Sequence, residues 1–200
     1  LMEGVEDIPG AALAEGITWD WETFPEYLDA LDKQPRALDV ATQIPHGAVR
    51  AYVMGERGAN NEAATNDDID AMAAIVEEGI RAGALGFSTS RTMLHLAKDG
   101  KPVPGTFANK DELIGIAEAM QRGGHGIFEM ASDLNPAEKE FGWMAEMSQK
   151  TGLPVSYALL QNPVDKDGWR KLLKMTDEAV ADGANIKAQI ALRAPGLILG

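Results

Sequence analysis

Four times in succession the chain runs through apolar residues at helical spacing, reaches a glycine, and continues into a short apolar stretch. Strands separated by whole helices cannot pair as hairpins, so this grammar favours parallel strands joined by right-handed crossovers. In the first round Thr65-Asn66-Asp67-Asp68 offers a hydroxyl for orphan amides and carboxylates for the positive helix end. Ile69, Met72, Val76 and Ile80 then recur on one face, Gly83 fits the stop, and Ala84 to Thr89 reads as a buried strand. Asn109 with Glu112 opens the second helix, which carries Leu113, Ile116 and Met120. Gly123-Gly124 ends it before a strand from Gly126 to Ala131. In the third round Asn135-Pro136 reads as a cap followed by proline at the first helical position. Phe141, Met144 and Met147 form its inward stripe, Gly152 its stop, and Leu153 to Leu160 its strand. The fourth runs from about Lys166 through Trp169, Leu172, Leu173 and Val180 to Gly183, with Asn185 to Leu192 as strand.

Upstream, Thr23-Phe24-Pro25-Glu26 starts a short helix that ends near Leu31. Ala37 to Gln43 is the first candidate strand, and His46 to Met54 a short helix. Five strands therefore begin near residues 37, 84, 126, 153 and 185, and the class is α/β. Neither a Gly-x-Gly-x-x-Gly turn nor a Walker lysine motif is present. Part of a (β/α)8 TIM-like barrel is thus expected in preference to a nucleotide-binding sheet, with about five βα units in residues 1–200 as a single piece. The expected shape is a curved partial barrel. Five steps do not close an eight-stranded ring, so flanking segments or another copy must cover its two open edges.

Charge narrows the partners. Eighteen Lys and Arg face 31 Asp and Glu, a formal charge of −13. A nucleic-acid binder needs a basic face to displace counterions from phosphate, and this chain is the opposite. Anionic lipid is disfavoured for the same reason, and no apolar run approaches the ~20 residues of a membrane span. With no cysteine there are no disulfides, thiolate ligands or cysteine nucleophiles. The three histidines, His46, His95 and His125, form neither a His-x-His nor a His-Glu-x-x-His pair. The start, Leu1-Met2-Glu3-Gly4, lacks a signal peptide's basic-then-apolar pattern, so a cytoplasmic setting is expected. Leu1 and the apolar stretch ending at Gly200 read as the ends of an internal segment.

Most connections are short, but 90–108 is a long loop after a strand, holding Arg91, His95, Lys98, Lys101, Pro102 and Pro104. In a barrel such loops build the catalytic face; otherwise this one is an irregular surface insertion. Reactive groups in parallel α/β folds sit at C-terminal strand ends. Those positions offer Gln43 and His46, then Ser88, Ser90 and Arg91, then Glu129, Ser132 and Asp133, then Gln161 and Asn162, and finally Arg193. Glu129 is the most informative: a carboxylate inside an apolar strand either faces the barrel mouth or meets a cation. Glu129 and Asp133 are the candidate catalytic acids. His46, Ser88, Ser90, Arg91 and Gln161 are the candidate substrate-binding residues. Arg91 could clamp a carboxylate bidentately or simply be a solvated loop arginine. His46 could instead bond nearby backbone. His125 lies in a turn at the opposite end of the strands. Trp19, Trp21 and Phe24 read as a packed lid or rim, and Trp143, Met144 and Met147 as core and helix flank.

Ala41-Thr42-Gln43-Ile44-Pro45-His46-Gly47-Ala48-Val49-Arg50, Tyr52-Val53-Met54-Gly55 and Gly83-Ala84-Leu85-Gly86-Phe87-Ser88-Thr89-Ser90 resemble, in order and spacing, the D-aminoacylase branch of the amidohydrolase superfamily. The similarity extends over most of the chain. It implies a metal-dependent (β/α)8 barrel with a small β-sandwich, zinc as cofactor, and hydrolysis of N-acyl-D-amino acids or related amides by metal-activated water. It also implies that the branch's His-x-His and Gly-Asn-Cys-Gly ligand segments would precede Leu1, and its last-strand aspartate would follow Gly200. Where D-aminoacylases have a Thr-His-Met-Arg-like strand end, this chain reads Phe128-Glu129-Met130-Ala131-Ser132; where they have Ser-His-His-Lys, it reads Ala158-Leu159-Leu160-Gln161. Two histidine ligands are replaced, Glu129 being a possible oxygen donor, so the family's ligand set is not in this chain. These residues alone are expected neither to hold a catalytic metal nor to hydrolyse amides. The alternatives are a non-catalytic or degenerate barrel section, and a metal-free barrel lyase or isomerase using Glu129.

Overall fold

The strands β1 (Gln43–Pro45), β2 (Gly86–Arg91), β3 (Ile127–Ser132), β4 (Val155–Ala158) and β5 (Ile186–Gln189) form one sheet in that sequential order, every neighbouring pair parallel. A computed structural model gives this architecture and describes residues 2–5, 8–161 and 165–190. The helices are α1 (Met2–Val5), α2 (Gly10–Gly16), α3 (Phe24–Asp32), α4 (His46–Met54), α5 (Glu56–Ala59), α6 (Asn66–Ala82), α7 (Lys110–Gly123), α8 (Ala137–Thr151) and α9 (Gly168–Ala181). Right-handed crossovers that all step in the same direction place the connecting helices on one side of the sheet. A doubly wound sheet reverses its order midway, and this one does not.

Local chemistry sets most boundaries. Thr65 Oγ1 accepts from the Asp68 amide while Asp68 accepts from the Thr65 amide, a capping box that starts α6. Thr23 and Glu26 make the same box at α3, and Asn109 caps α7 through the Glu112 amide. Gly83 closes α6 at φ +114°, a left-handed conformation that glycine adopts without a Cβ clash.

Three expectations are corrected. Residues 37–42 are not a strand: Leu38 and Val40 are exposed, β2 begins only at Gly86, and pairing starts at Thr42, whose carbonyl accepts from the Leu85 amide at 2.8 Å. Asn135 does not cap α8; Pro136 occupies that position and no side chain supplies the bond. β4 is half as long as the apolar run suggests: it starts at Val155, after Leu153 and Pro154, and ends at Ala158, although the Leu159 amide still donates to the Gln189 carbonyl at 2.9 Å. The part of the fifth strand expected beyond Ile190 lies outside the described residues.

One face of the sheet carries the core. Phe87, Phe128, Met130, Val155, Tyr157 and Ile186 are buried against Met72, Val76, Leu113, Met120, Met144 and Met147 from the helices. His46, Phe87, Phe128 and Trp143 stack along this layer with centroids 5.2, 5.3 and 6.0 Å apart. Strand alternation sends the intervening residues to the other face. There the register lines up Pro45, Ser88, Glu129, Ser156 and Lys187 in one row across all five strands. With helices outside, this polar row is the inner face of the barrel-type sheet. Among the described residues no helix is long and apolar enough to cross a membrane.

Candidate functional site

The loop 92–109 is anchored at several points over the C-terminal ends of the strands. Leu96 and Pro102 pair as an antiparallel bridge, and Asn61 donates to the carbonyls of Pro102 and Val103 while accepting from the Gly105 amide. Gly105, at φ +99°, sits so near the His46 ring that a Cβ would lie 2.6 Å from Nδ1. At the other end of the loop Asp133, just past β3, accepts from Thr92 Oγ1 and from the Met93 amide at 2.9 Å. A cavity of ≈ 430 Å³ opens here, lined by His95, Ser132, Asp133, Leu160, Trp169 and Lys171 among others. A second, ≈ 870 Å³, lies between the loop and α8, with Asp133 common to both.

The candidate residues divide between the two faces. Ser88 and Glu129 are register partners on the inner face, with Ser156 on the far side of Glu129 and Lys187 one strand further, about 10 Å away at the usual strand spacing. No hydrogen bond or ion pair among the described residues engages the Glu129 carboxylate. Ser90, at the top of the same face, holds His95 with Oγ 2.6 Å from Nδ1. Arg91 is turned into the protein: its Nε and one terminal nitrogen grip Glu140 at 2.8 and 3.0 Å, and the other donates to the Ala108 carbonyl. Glu140 also accepts from Trp143 Nε1. The carboxylate that Arg91 clamps is thus internal, and this pair pins the long loop to α8. Gln161 is exposed and donates to the Lys166 carbonyl. Asn162 and Arg193 lie outside the described residues.

His46 is on the helix side of the sheet. Its ring is 1% exposed, with Nδ1 2.8 Å from Thr89 Oγ1 and Nε2 2.8 Å from Glu112 Oε1. Burial, the largest influence, pushes the imidazole below its ordinary 6.5, so it is neutral at pH 7. Glu112 also accepts from Arg50 Nε, and Arg50 donates on to the Gly58 and Glu62 carbonyls. Burial alone would raise the Glu112 carboxyl, but His46 and Arg50 outweigh it and hold the group below 4.5. The ring therefore donates from Nε2 to the carboxylate and accepts the Thr89 hydroxyl at Nδ1. Every polar ring atom is spent inside, which removes His46 from the inner face and from substrate. His125 sits at the opposite end of the strands, with Nε2 donating to the Ala84 carbonyl. Trp19 and Trp21 cluster with Tyr27 about α3, which packs on the outer helix α6.

Three residues that shape this region were not among the sequence candidates. His95 stands in a loop whose path no periodicity constrains. Glu112 and Glu140 read as helix-start acids, and only the folded chain brings Arg50 and Arg91 to them.

A catalytic zinc site draws three protein ligands from imidazole, thiolate or carboxylate donors. Among the described residues no group of three or more histidines and acids comes together around one point. One imidazole is sealed behind the sheet, one faces the other strand ends, and His95 is five residues from its serine partner rather than beside Glu129. These residues by themselves do not fit a zinc centre.

A parallel sheet wound in one direction, with its polar row inside and loops gathered over its C-terminal ends, is the architecture of (β/α)8-barrel enzymes. The chain belongs to the amidohydrolase family, whose profile matches residues 1–195. It is 40% identical over 77 residues to D-aminoacylase of Alcaligenes xylosoxydans xylosoxydans, an alignment covering 38% of this chain and 15% of that protein. It is 29% identical over 123 residues to N-acyl-D-aspartate deacylase of the same organism, covering 59% and 22%. Among solved structures it is similar to N-acyl-D-glutamate deacylase of Bordetella bronchiseptica, complexed with zinc and a phosphonate inhibitor. That match has a TM-score of 0.68 and 25% identity, over 92% of this chain and 38% of that one. A D-aminoacylase structure shares the fold at a TM-score of 0.66 and 22% identity, over 84% and 33%. The chain thus spans about a fifth of its curated relatives and about a third of its structural neighbours.

Proposed function

We propose that this chain is one section of a barrel domain in an amidohydrolase that cleaves the amide C–N bond of N-acyl-D-amino acids or closely related amides. The family match over residues 1–195 carries this reading, and the ≈ 430 Å³ mouth cavity is the size of a small-molecule site. The zinc of this family would require ligands beyond those described here. What this section supplies is a shaped mouth and two carboxylates. Asp133 is fixed by the Thr92 hydroxyl and the Met93 amide, so its oxygens are oriented before substrate arrives. Glu129 has no hydrogen-bond or ion-pair partner among the described residues and stands on the inner face in register with Ser88 and Ser156, where a carboxylate can accept a proton from water or hold one for a leaving nitrogen. Ser88 and Gln161 remain candidate substrate contacts.

The partner is a small-molecule amide. The polar inner face and open strand edges are covered by flanking parts of a longer chain or by a second copy, and the setting is cytoplasmic. Assay of the full-length protein against a panel of N-acyl-D- and N-acyl-L-amino acids tests the reading, with Glu129→Gln alongside. Hydrolysis of the D-series is expected, falling at least ~100-fold in the variant, the usual contribution of a positioned acid–base group. No turnover of any amide would sink the proposal.

The scattered imidazoles favour a second reading, a non-catalytic or degenerate barrel section. Stoichiometric zinc uptake by the full-length protein, together with turnover, would exclude it.

A further inference from the structure

Ser90 closes β2 on the inner face, and its hydroxyl oxygen is 2.6 Å from Nδ1 of His95. Both side chains are partly buried. Either atom can be the donor of this bond; with the serine hydroxyl donating, Nδ1 is the acceptor. Neutral imidazole carries one donor and one acceptor nitrogen, so with Nδ1 accepting, the ring's own proton is on Nε2. Nε2 has no partner among the described residues, and His95 lines the ≈ 430 Å³ cavity. In that tautomer a donor N–H belongs to a residue that lines the mouth, its ring tied to the end of a strand as well as to its loop.

The rest of the cavity indicates what the donor meets. Leu160, Trp169 and Leu172 give it an apolar wall, while Lys171, a basic group of the same lining, is held by Glu138 at 2.6 Å. Asp133 has both oxygens engaged by Thr92 and Met93. We infer that His95 is a substrate-binding residue whose Nε2–H donates to an acceptor oxygen of an N-acyl amino acid, with the acyl chain against Leu160, Trp169 and Leu172. Ser90 is its positioning residue. The inference rests on the amide-hydrolase reading above for the class of ligand. The oxygen belongs either to the acyl carbonyl or to the α-carboxylate, which present the same acceptor chemistry.

The test uses the full-length protein labelled with ¹⁵N-histidine, the His95 resonances being assigned by comparison with His95→Asn. It is titrated with N-acetyl-D-leucine and with N-(3-methylbutyl)acetamide, which keeps the acyl carbonyl and has no carboxyl-derived oxygen. A saturable shift of His95 Nε2 is expected. A shift with both ligands identifies the carbonyl, and one with the acid alone identifies the carboxylate. In kinetics, His95→Asn raises KM for N-acetyl-D-leucine about tenfold with a smaller effect on kcat, as loss of one substrate hydrogen bond does. Ser90→Ala gives part of that rise and Ser90→Thr restores it. A His95 signal unmoved by saturating N-acetyl-D-leucine in a protein that hydrolyses it overturns the inference and leaves the amide-hydrolase reading intact. A shift without hydrolysis overturns that reading and keeps the binding site. Neither shift nor hydrolysis overturns both.

Discussion

His46 and Glu112, on helices α4 and α7, meet at 2.8 Å behind the sheet with neither side chain exposed. Arg50 reaches the same oxygen at 2.8 Å, so one carboxylate joins α4, where the four-residue spacing puts His46 and Arg50 on one face, to the helix that follows the long loop. The cluster is structural: it fastens α4 to α7 and, through Thr89, to β2.

Glu112→Ala leaves Arg50 buried without its counter-charge, so unfolding in urea should show a loss of about 3–5 kcal/mol. His46→Ala removes only a neutral donor and acceptor and should cost about 1–3 kcal/mol. Equal losses in the two variants would contradict the assignment of the charge to Glu112.

Acid should weaken the fold in stages. Burial holds His46 below its ordinary 6.5, and the partners of Glu112 hold it below 4.5 despite burial. In both cases the unfolded chain binds the proton more readily, so stability rises with pH. His46 contributes its part above about pH 6.5 and Glu112 above about 4.5. Asp68, brought to about 2 chiefly by Arg57, adds a last stage below 3.8. Thermal midpoints measured from pH 8 to 3 should therefore begin to fall near pH 6.5. In His46→Gln the upper part of that fall should flatten while the lower part persists.

Arg91→Lys should destabilise the chain despite keeping the charge, because an ammonium cannot match the two-point grip on Glu140 or reach Ala108 as well. A loss of about 1–3 kcal/mol is expected. Glu140→Ala, which strands a nearly buried guanidinium, should cost about 3–5 kcal/mol. Limited proteolysis should find 92–109 cut faster in both variants. Unchanged cleavage would show that the pair does not hold the loop.

Gly86 opens β2 where its ladder meets Ile127, and an added Cβ would lie 2.6 Å from the Ile127 amide nitrogen. The obstacle is backbone and cannot rotate away. Gly86→Ala should therefore part β2 from β3 and abolish cooperative unfolding by calorimetry. Gly142→Ala, where a Cβ meets nothing within 4 Å on α8, should be neutral or slightly stabilising.

Sequence alone determined the alternation of helix and strand, because capping residues, stop glycines and apolar spacing are local codes that act within a few residues. Thr65 with Asp68, Asn109 with Glu112, and Gly83 do in the fold what their chemistry dictates in the chain. The parallel class followed from the same spacing, since strands a helix apart have no other easy way to pair. Tertiary structure decided which face each candidate occupies. A strand one residue out of register turns every side chain over, and only the ladder Ser88–Glu129–Ser156 shows those three on the inner face with Thr89 behind it. His46 carried a helix-start signal but no sign of the side it would face; Glu112, 66 residues away, settled that. His95 was equally illegible, because a loop tied down by Asn61 and Ser90 takes its path from distant partners that no local pattern records.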